Sequence, residues 1–568
     1  MKRTLVLTAV LSFLSLGLLA TDIFVTPTGG GDNSGSSWSN AINGSEHIVG
    51  LRIKEAITNA FANSASEINV YLAGGTYTTS NSVSIARITV PVRFSGGYVA
   101  TTDGSFEKGD TPTVVNRNAS YNLRFLYAEN LTSLMLNGIT FSGGYLYAST
   151  GTASGGALAL LHTTTSIENC SFLGNHVNGG SYATLHGGAI FTSGGSITIK
   201  DSEFKNNYVL AGYNAQYGGG IYTSKTDISI DNCTFENNYA KAAQRGGYGG
   251  ALSLHGYNVV IKNSIFKKNY VLSNSNTGTG YPHGGAFSIR SAVRAEISDC
   301  QFFDNYVRVF NDRRSAATIS CFYLDDFNAS DGVMTSVVTR CVFDSSGIVN
   351  QISKDSSKYF KSDFLLNCGR LFMTNCLIAN ARGTHEDMKY SIRATRTAPC
   401  EKDPLSLKNT IVVTPCELNL VNCTIADGKG NGAMAQEANS TLNLENCISW
   451  GNTLTGIVNA ASVKYTCSQE EQEGEGNFVA DPLWTGKPYY HLITKAKNGY
   501  IQDGYFGGTF NGEKSAVSSP CIDAGITNAP NHILEPHAKG RRINLGAYGG
   551  TPWASKTYYQ LGSLLRIH

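Results

Sequence analysis

The stretch GGAIFTSGGSITIKDSEFKNNYV, residues 187–209, decides the fold because copies of it recur along the chain. Two close copies, GGGIYTSKTDISIDNCTFENNYA and GGALSLHGYNVVIKNSIFKKNYV, start at Gly218 and Gly249, and looser copies start at Gly155 and Gly284. The phenylalanines of the five copies lie 31 to 36 residues apart, at Phe172, Phe204, Phe235, Phe266 and Phe302. A repeat of this length is typical of a solenoid, in which each turn of the chain stacks on the next.

The local pattern indicates which solenoid this is. SITI and DISI alternate apolar and polar residues with a period of two, which predicts short strands. Turn-forming Gly, Asn, Asp and Ser residues separate these strands, and no helical pattern falls inside a repeat. Strands this short bury their apolar side chains only by stacking in parallel on the next copy, about 4.8 Å away. The sequence therefore predicts an all-β, right-handed parallel β-helix of roughly a dozen coils.

Fixed positions around each phenylalanine predict separate roles. An isoleucine five residues earlier points inward, as the phenylalanine does. The Asn or Asp three residues earlier lies at a bend in the left-handed region, and the Asn three residues later forms a hydrogen-bonded ladder. Cysteines two residues before the phenylalanine position are expected to be small buried apolar groups rather than disulfide partners. They are Cys170, Cys233, Cys300, Cys341, Cys376, Cys423 and Cys447.

The chain divides into four predicted segments. They are a signal peptide (1–20), an N-terminal cap (21–65), the parallel β-helix (66–467) and an irregular C-terminal cap (468–568). The clearest repeats cover 155–305, and the apolar spacing of 51–62 predicts a short capping helix that covers the open end of the stack. Lys2 and Arg3 precede an apolar run, which indicates secretion and a mature chain without a membrane span.

The charge of the chain limits the classes of partner that we expect. The formal net charge is only +2 and no Lys/Arg-rich run occurs, so nucleic acid is not an expected partner.

The 13 cysteines are an odd number and cannot all pair. Two pairs, Cys400 with Cys416 and Cys467 with Cys521, are open alternatives for disulfides in an oxidising compartment. The sequence alone does not decide either pair.

The paired GGA[ILF] and FxxN motifs resemble the repeats of polymorphic outer membrane proteins. That resemblance implies a surface-exposed passenger domain with an adhesin-like role. The segments FVTPTGGGDNSGSSWSNA (24–41) and SPCIDAG…GRRINLGAYGGT (519–551) resemble secreted bacterial right-handed β-helix proteins with a choice-of-anchor-type terminal segment. The chain ends in YYQLGSLLRIH rather than in transporter-barrel strands. We therefore expect a secreted or bacterial cell-surface protein, associated with the outer membrane or extracellular, without integral membrane insertion.

Parallel β-helices also include polysaccharide lyases, whose catalytic residues protrude from one strand of adjacent coils. Here that strand follows the Gly-Gly pair, and most of its outward residues neither bind metals nor act as strong bases. They are Ala157, Ala159, Ala189, Phe191, Gly220, Tyr222, Ala251, Ser253, Ala286 and Ser288. His255 and Arg290, further along this strand on consecutive coils, are the catalytic candidates of a lyase, with the arginine holding a uronate carboxylate. Two unrelated solvated side chains are the simpler interpretation.

Two other sets of residues are candidates for binding. The residues before the Gly-Gly pairs, His186, Tyr217, Tyr248 and His283, form a potential glycan-binding strip. Stacked structural aromatic residues explain the same regularity. The acidic run LDDFNASDG offers Asp325, Asp326 and Asp331 as calcium ligands, with a polar loop as the alternative. Calcium is the only cofactor that the sequence leaves open.

The sequence favours a protein that presents an extended surface over an enzyme. We expect an adhesin-like or glycan-contacting role, and extracellular polysaccharide or a host or cell-surface glycan as partner. The alternative is a polysaccharide lyase or glycoside hydrolase acting on uronic-acid-containing polysaccharide. An enzyme requires charged side chains that converge on the strand after Gly-Gly, whereas a binding surface has aromatic and small polar residues there.

Overall fold

The computed structural model describes residues 19–558 apart from several segments within that span. The segments outside the described residues are 102–103, 212, 243–245, 274–281, 310–317, 326–333, 351–359, 368, 384–389, 396–415, 429–430, 436–439, 454–455, 486–488, 501–513 and 537–539. The predicted signal peptide falls almost entirely outside the described residues, and Cys400, Asp326 and Asp331 do as well.

The strands of the described chain pair in parallel throughout and form three sheets, which shows the parallel β-helix. Each regular coil contains a glycine strand directly after the Gly-Gly pair, an isoleucine strand, a phenylalanine strand and a tyrosine strand. A short pre-glycine strand then leads to the next coil. The phenylalanine sheet has thirteen strands in the described residues, in agreement with the predicted dozen coils.

The first sheet contains the pre-glycine, glycine and isoleucine strands. Its strands are Thr21–Thr26, Ile42–Asn43, Ile68–Ala73, Val83–Ala86, Val92–Tyr98, Leu126–Glu129, Leu134–Asn137, Thr152–Ser154, Leu158–Glu168, Thr184–His186, Ile190–Lys200, Gln216–Tyr217, Ile221–Ser224, Asp227–Asp231, Gly247–Tyr248, Leu252–His255, Asn258–Lys262, His283–Arg290, Arg294–Ser298, Thr318–Asp325, Thr335–Thr339, Phe360–Asn367, Gly369–Thr374, Tyr390–Thr395, Cys416–Val421, Asn431–Ala435, Ser440–Glu445, Ile457–Val458 and Ser462–Lys464.

The other two sheets contain the phenylalanine and the tyrosine strands. The phenylalanine sheet consists of Gly75–Thr79, Thr113–Arg117, Ile139–Ser142, Ser171–Leu173, Glu203–Lys205, Thr234–Glu236, Ile265–Lys267, Gln301–Phe303, Val342–Asp344, Leu377–Ala379, Thr424–Ala426, Ile448–Trp450 and Cys467–Ser468. The tyrosine sheet consists of Tyr145–Ala148, His176–Gly179, Tyr208–Ala211, Tyr239–Ala242, Tyr270–Ser273, Tyr306–Val309, Gly347–Asn350 and Arg382–Gly383.

The predicted vertical register is present in the core. Phe204 is the register partner of Phe235, and the two ring centroids lie 4.7 Å apart with planes 7° from parallel. Both rings are fully buried. Equivalent side chains therefore lie one rung apart, which confirms the basis of the predicted fold.

The asparagines occupy the two bends as predicted. Asn232, before the phenylalanine strand, has a φ of 51°. Asn238, after that strand, is fully buried and donates through Nδ2 to the Oδ1 of Asn269 at 2.9 Å. Its own Oδ1 accepts from the backbone N–H and the side-chain amide of Asn207, at 3.0 and 2.9 Å. A continuous ladder of buried amides therefore satisfies the backbone at this bend.

The seven repeat cysteines are buried free thiols in the main core, as predicted. The thiol of Cys233 donates to the carbonyl oxygen of Asp231 at 3.2 Å. Their role as small apolar groups with a weak donor therefore accounts for their position without disulfide bonds. Cys467 and Cys521 contact each other in a separate buried cluster as free thiols, so their disulfide stays a prediction.

A helix covers the first coils, as the apolar spacing predicts. It spans Val49–Ala62 and buries Ile53 and Ile57 against the first strands. A 3-10 helix, Trp38–Asn40, lies just before it and buries Trp38. No helix within the described residues is long and apolar enough to cross a membrane.

The C-terminal segment packs along the flank of the last coils as well as on their end. Its described part is irregular apart from a 3-10 helix, Pro530–Leu534. The side-chain amide of Asn375 donates to the carbonyl oxygens of Ala547 and Gly549, at 3.1 and 2.7 Å. Asn422 donates to the same Gly549 oxygen at 3.0 Å. This segment therefore accepts hydrogen bonds from the bend asparagines of two of the last coils.

Candidate functional site

The glycine strand does not present the open surface that its sequence pattern predicts. Ala157, Ala189 and Ala251 are fully buried and belong to the main core, so their assignment as outward residues is wrong. Ser253 and Ser288 do alternate with core residues and point away from the core, yet they are also fully buried. Other side chains therefore cover this part of the strand.

The Gly-Gly pair explains how the covering arises. The first glycine of each pair has a positive φ, 61° at Gly187, which a side chain would strain. A Cβ on the second, Gly188, would collide with the carbonyl oxygen of Gly219 on the next coil. The chain turns sharply at the pair, so the residue before it can lean across the glycine strand that follows.

The four predicted glycan-binding residues form one stacked column. His186 pairs in register with Tyr217, Tyr217 with Tyr248, and Tyr248 with His283. Their ring centroids lie 5.3, 5.2 and 5.9 Å apart, with planes 27°, 9° and 41° from parallel. We name His186, Tyr217, Tyr248 and His283 the pre-glycine column. Its members are stacked, as the structural interpretation predicts, but the stacking is irregular.

This column contacts the outward residues of the glycine strand. The His186 ring lies 4.4 Å from the Tyr222 ring, and the Tyr222 ring lies 5.4 Å from that of His255. The Arg290 guanidinium lies 5.1 Å from the centroid of the Tyr248 ring, within the range of a cation–π contact. The structure therefore unites both sets of candidates. We name the pre-glycine column together with Tyr222, His255 and Arg290 the histidine–tyrosine cluster.

Burial makes the histidines of this cluster neutral. Desolvation lowers the pKa of His186 to about 4. Desolvation, and secondarily the charge of Arg290, lowers the pKa of His255 and of His283 to about 3. At neutral pH these imidazoles are hydrogen-bonding groups, and a pKa this low makes His255 a weak general base. Burial also raises the pKa of the Tyr222 phenol to about 12, so it too is neutral.

Buried polar atoms without partners lie beside these rings. Among the residues that the structure describes, Nε2 of His255 and Oγ of Ser253 and of Ser288 have no hydrogen-bond partner. Such groups are costly unless something satisfies them, and their concentration at one place indicates a site. The alternation in the sequence places Tyr222, Ser253 and Ser288 on the outward side of the strand. Their residue types alone indicate only that they do not bind metals. Their position opposite the pre-glycine column was the signal that could have singled them out.

The calcium candidates are only partly placed. The backbone of Asp325 is in register with Arg290, so His255, Arg290 and Asp325 occupy one station on three successive coils. Asp326 and Asp331 lie outside the described residues. Within the part of the chain that is described, no three His, Cys, Asp or Glu residues are grouped to hold a metal ion. A calcium site at this run therefore stays a prediction.

A second aromatic column lies on the tyrosine sheet. We name its members, His176, Tyr208, Tyr239, Tyr270 and Tyr306, the tyrosine column. Neighbouring centroids lie 4.5 to 4.9 Å apart, with planes between 2° and 13° from parallel. Each inner ring has both faces covered by its neighbours, so only the edges and hydroxyls are presented outward. The inner rings of this column therefore offer no free face to a sugar, and they stabilise the stack.

Comparisons with known proteins find only a weak similarity. No protein-family model matches the chain, and no curated protein matches it. Among solved structures, the crystal structure of pectate lyase Pel9A is similar at 10% sequence identity with a TM-score of 0.29. The match covers 93% of this chain and 95% of that one. So low a similarity carries no argument about the site, and the parallel β-helix rests on the strand pairings described above.

Proposed function

We propose that this protein is a secreted or cell-surface β-helix protein that binds an acidic glycan at the histidine–tyrosine cluster without catalysing its cleavage. The observation that carries the proposal is the make-up of the cluster, in which neutral polar rings lie near the Arg290 guanidinium. A guanidinium pairs with a sugar carboxylate through charge-assisted hydrogen bonds. Neutral imidazoles and phenols donate to and accept from sugar hydroxyls.

The low pKa of His255 supports binding rather than catalysis. Elimination from a uronate requires a base that is effective near the working pH. His255 has a pKa of about 3, so it takes up a proton only in strong acid and is therefore a poor acceptor for a carbon-bound proton. The aromatic and small polar residues of this face also match the pattern that the sequence analysis assigns to a binding surface.

Binding to defined polymers tests the proposal. We expect the purified protein to bind polygalacturonate or alginate and not neutral galactan, measured by isothermal titration calorimetry. Arg290→Gln should weaken this binding. Arg294→Gln is the matched control, because Arg294 lies on the following strand, is largely exposed and pairs only with Glu296 among the described residues. Equal binding of acidic and neutral polymers, or an unaffected Arg290→Gln variant, would contradict the proposal.

A polysaccharide lyase is the second candidate. One observation favours it, namely that His255, Arg290 and Asp325 share a station on three consecutive coils. The same polymers test it, because a lyase releases unsaturated products that absorb ultraviolet light. Product formation that is lost in Arg290→Gln and kept in Arg294→Gln would replace the binding proposal with this one.

The proposed location rests on the N-terminal sequence. Lys2, Arg3 and the apolar run after them support export, with cleavage after Ala20. Mass spectrometry of the protein isolated from its source should find Thr21 as the first residue in the extracellular or surface fraction. An intact Met1 in the cytoplasmic fraction would contradict this location.

A further inference from the structure

The outward residues of the glycine strands form the floor of the histidine–tyrosine cluster, and their size changes abruptly between coils. Phe191 and Tyr222 occupy one outward station on two successive glycine strands. Ser253 and Ser288 occupy the same station on the next two coils. Two large rings are thus followed by two small hydroxyls, which makes a step in the floor. Two rungs in a parallel sheet lie about 4.8 Å apart, a distance comparable to one pyranose ring.

The step is roofed by a pair of larger side chains. Tyr248 precedes its glycine strand, whereas Arg290 lies two residues beyond Ser288 on the next coil. The contact between the Tyr248 ring and the Arg290 guanidinium therefore passes over the station of the two serines. This explains why Ser253 and Ser288 are fully buried although they point away from the core.

The polar atoms beneath this roof have no partners among the described residues. They are the hydroxyls of Ser253 and Ser288 and, one alternation further along the strand, Nε2 of His255. A buried hydroxyl without a hydrogen bond costs roughly 1–3 kcal/mol, and these two lie at the same station on adjacent coils. Alanine at these positions would avoid the cost, so the serines are unfavourable for folding alone.

We propose that Ser253, Ser288 and His255 form a subsite for one uronic acid residue, such as a chain end. The sugar hydroxyls hydrogen-bond to Ser253, Ser288 and Nε2 of His255, while the carboxylate binds the Arg290 guanidinium, which leaves the face of Tyr248. The inference rests on the proposed function and deepens it, because it names the sugar residue and the groups that select it.

Serine-to-alanine variants test this subsite through two readouts that move in opposite directions. Ser253→Ala and Ser288→Ala should each raise the melting temperature by about 1–3 °C, because an unsatisfied hydroxyl is removed. Each should weaken the binding of galacturonate and trigalacturonate by roughly three- to tenfold, because a hydrogen bond to the sugar is lost. A hydroxyl with a purely structural role would instead lower the melting temperature and leave the affinity unchanged.

Ser336→Ala is the matched control. Its hydroxyl is also buried without a partner among the described residues, but its station is shared with the core residues Ala295 and Leu371. This variant should gain stability and keep wild-type affinity. Wild-type binding that both serine variants retain would overturn the subsite alone, as would a lower melting temperature of either variant. Absence of wild-type binding to galacturonate, trigalacturonate and polygalacturonate would overturn the proposed function together with the subsite.

Discussion

The tyrosine column and the pre-glycine column belong to the same coils and differ in regularity. In the tyrosine column the planes of neighbouring rings deviate by at most 13°, and its rings are only partly buried. In the pre-glycine column the planes deviate by up to 41°, and its rings contact Tyr222, His255 and Arg290 from other stations. Both columns obey the same vertical register, so stacking alone does not distinguish a structural column from a candidate site.

The difference shows what departures from the repeat contribute. Where a station largely keeps one residue type, as in the tyrosine column, like rings cover each other's faces and present only their edges and hydroxyls outward. Where the type changes from coil to coil, the glycine strand presents Tyr222, Ser253 and Arg290 within a few rungs. The regular stations form the scaffold. The stations where the residue type changes bring polar and charged side chains together at the histidine–tyrosine cluster.

The largest expected effect comes from breaking a regular station. Asn238→Ala removes four side-chain hydrogen bonds and leaves the carbonyl oxygen of Phe204 and the backbone N–H of Asn207 without these partners in the interior. Because each buried unsatisfied group costs about 1–3 kcal/mol, we expect a loss of about 4 kcal/mol or more. Chemical denaturation measures the loss. A change below 1 kcal/mol would contradict the buried amide ladder.

The next effect sharpens the contrast at the cluster. Arg290→Gln should weaken binding of polygalacturonate by roughly 10- to 100-fold, because a charge-assisted pair is lost. Its effect on stability should be smaller than its effect on binding, since glutamine keeps a polar group at this position and a cation–π contact such as that with Tyr248 is worth about 1 kcal/mol. Calorimetric titration beside thermal unfolding separates the two. A variant that loses stability but keeps its affinity would place Arg290 among the structural residues.

Matched substitutions compare the two columns directly. Tyr239→Leu removes two stacked contacts, at 4.7 and 4.8 Å, and should cost about 1–2 kcal/mol of stability without changing affinity. Tyr248→Leu should change affinity, because the ring that holds Arg290 is lost. Both variants are measured by calorimetric titration and by thermal unfolding. If both change only stability, the distinction between the columns fails.

The smallest effect is in the acid unfolding of the cluster. The folded pKa values of His186, His255 and His283, about 4, 3 and 3, lie below the value of about 6.5 in an unfolded chain. The unfolded state therefore binds more protons in this window, and stability falls as the pH falls from about 6.5 towards 3. His186→Asn should lower the pH midpoint of acid unfolding by a fraction of a pH unit, as measured by circular dichroism.

His162→Asn provides the control for the acid experiment, because His162 is an exposed histidine whose backbone φ of 48° an asparagine tolerates. The acid-unfolding midpoint of this variant should equal that of the wild type. Equal shifts in both variants would show that burial in the cluster does not determine the acid response.

The register could be predicted because the phenylalanine spacing fixes it. Once Phe204 and Phe235 align, the isoleucines, the bend residue Asn232 and the ladder residue Asn238 follow from chain geometry. The predicted parallel β-helix is confirmed on that basis. Domain boundaries and the roles of the site residues stay predictions.

The closure of the site could not be predicted from the same spacing. Alternation places Ser253 outward but does not show that the turn at the Gly-Gly pair brings Tyr248 and Arg290 over it. Alternation also made Ala251 an outward residue, although the turn directs it into the core. The docking of Gly549 on Asn375 depends on contacts far apart in sequence, which no local pattern encodes.

A crystal structure of the protein with bound trigalacturonate tests the central claim most directly. The account predicts that the rings of Phe204 and Phe235 lie 4.7 Å apart and that one sugar carboxylate binds the Arg290 guanidinium above Ser253 and Ser288. A sugar bound elsewhere, with Arg290 still on the Tyr248 ring, would contradict the assignment of the site. Phenylalanines out of register would contradict the fold from which that site follows.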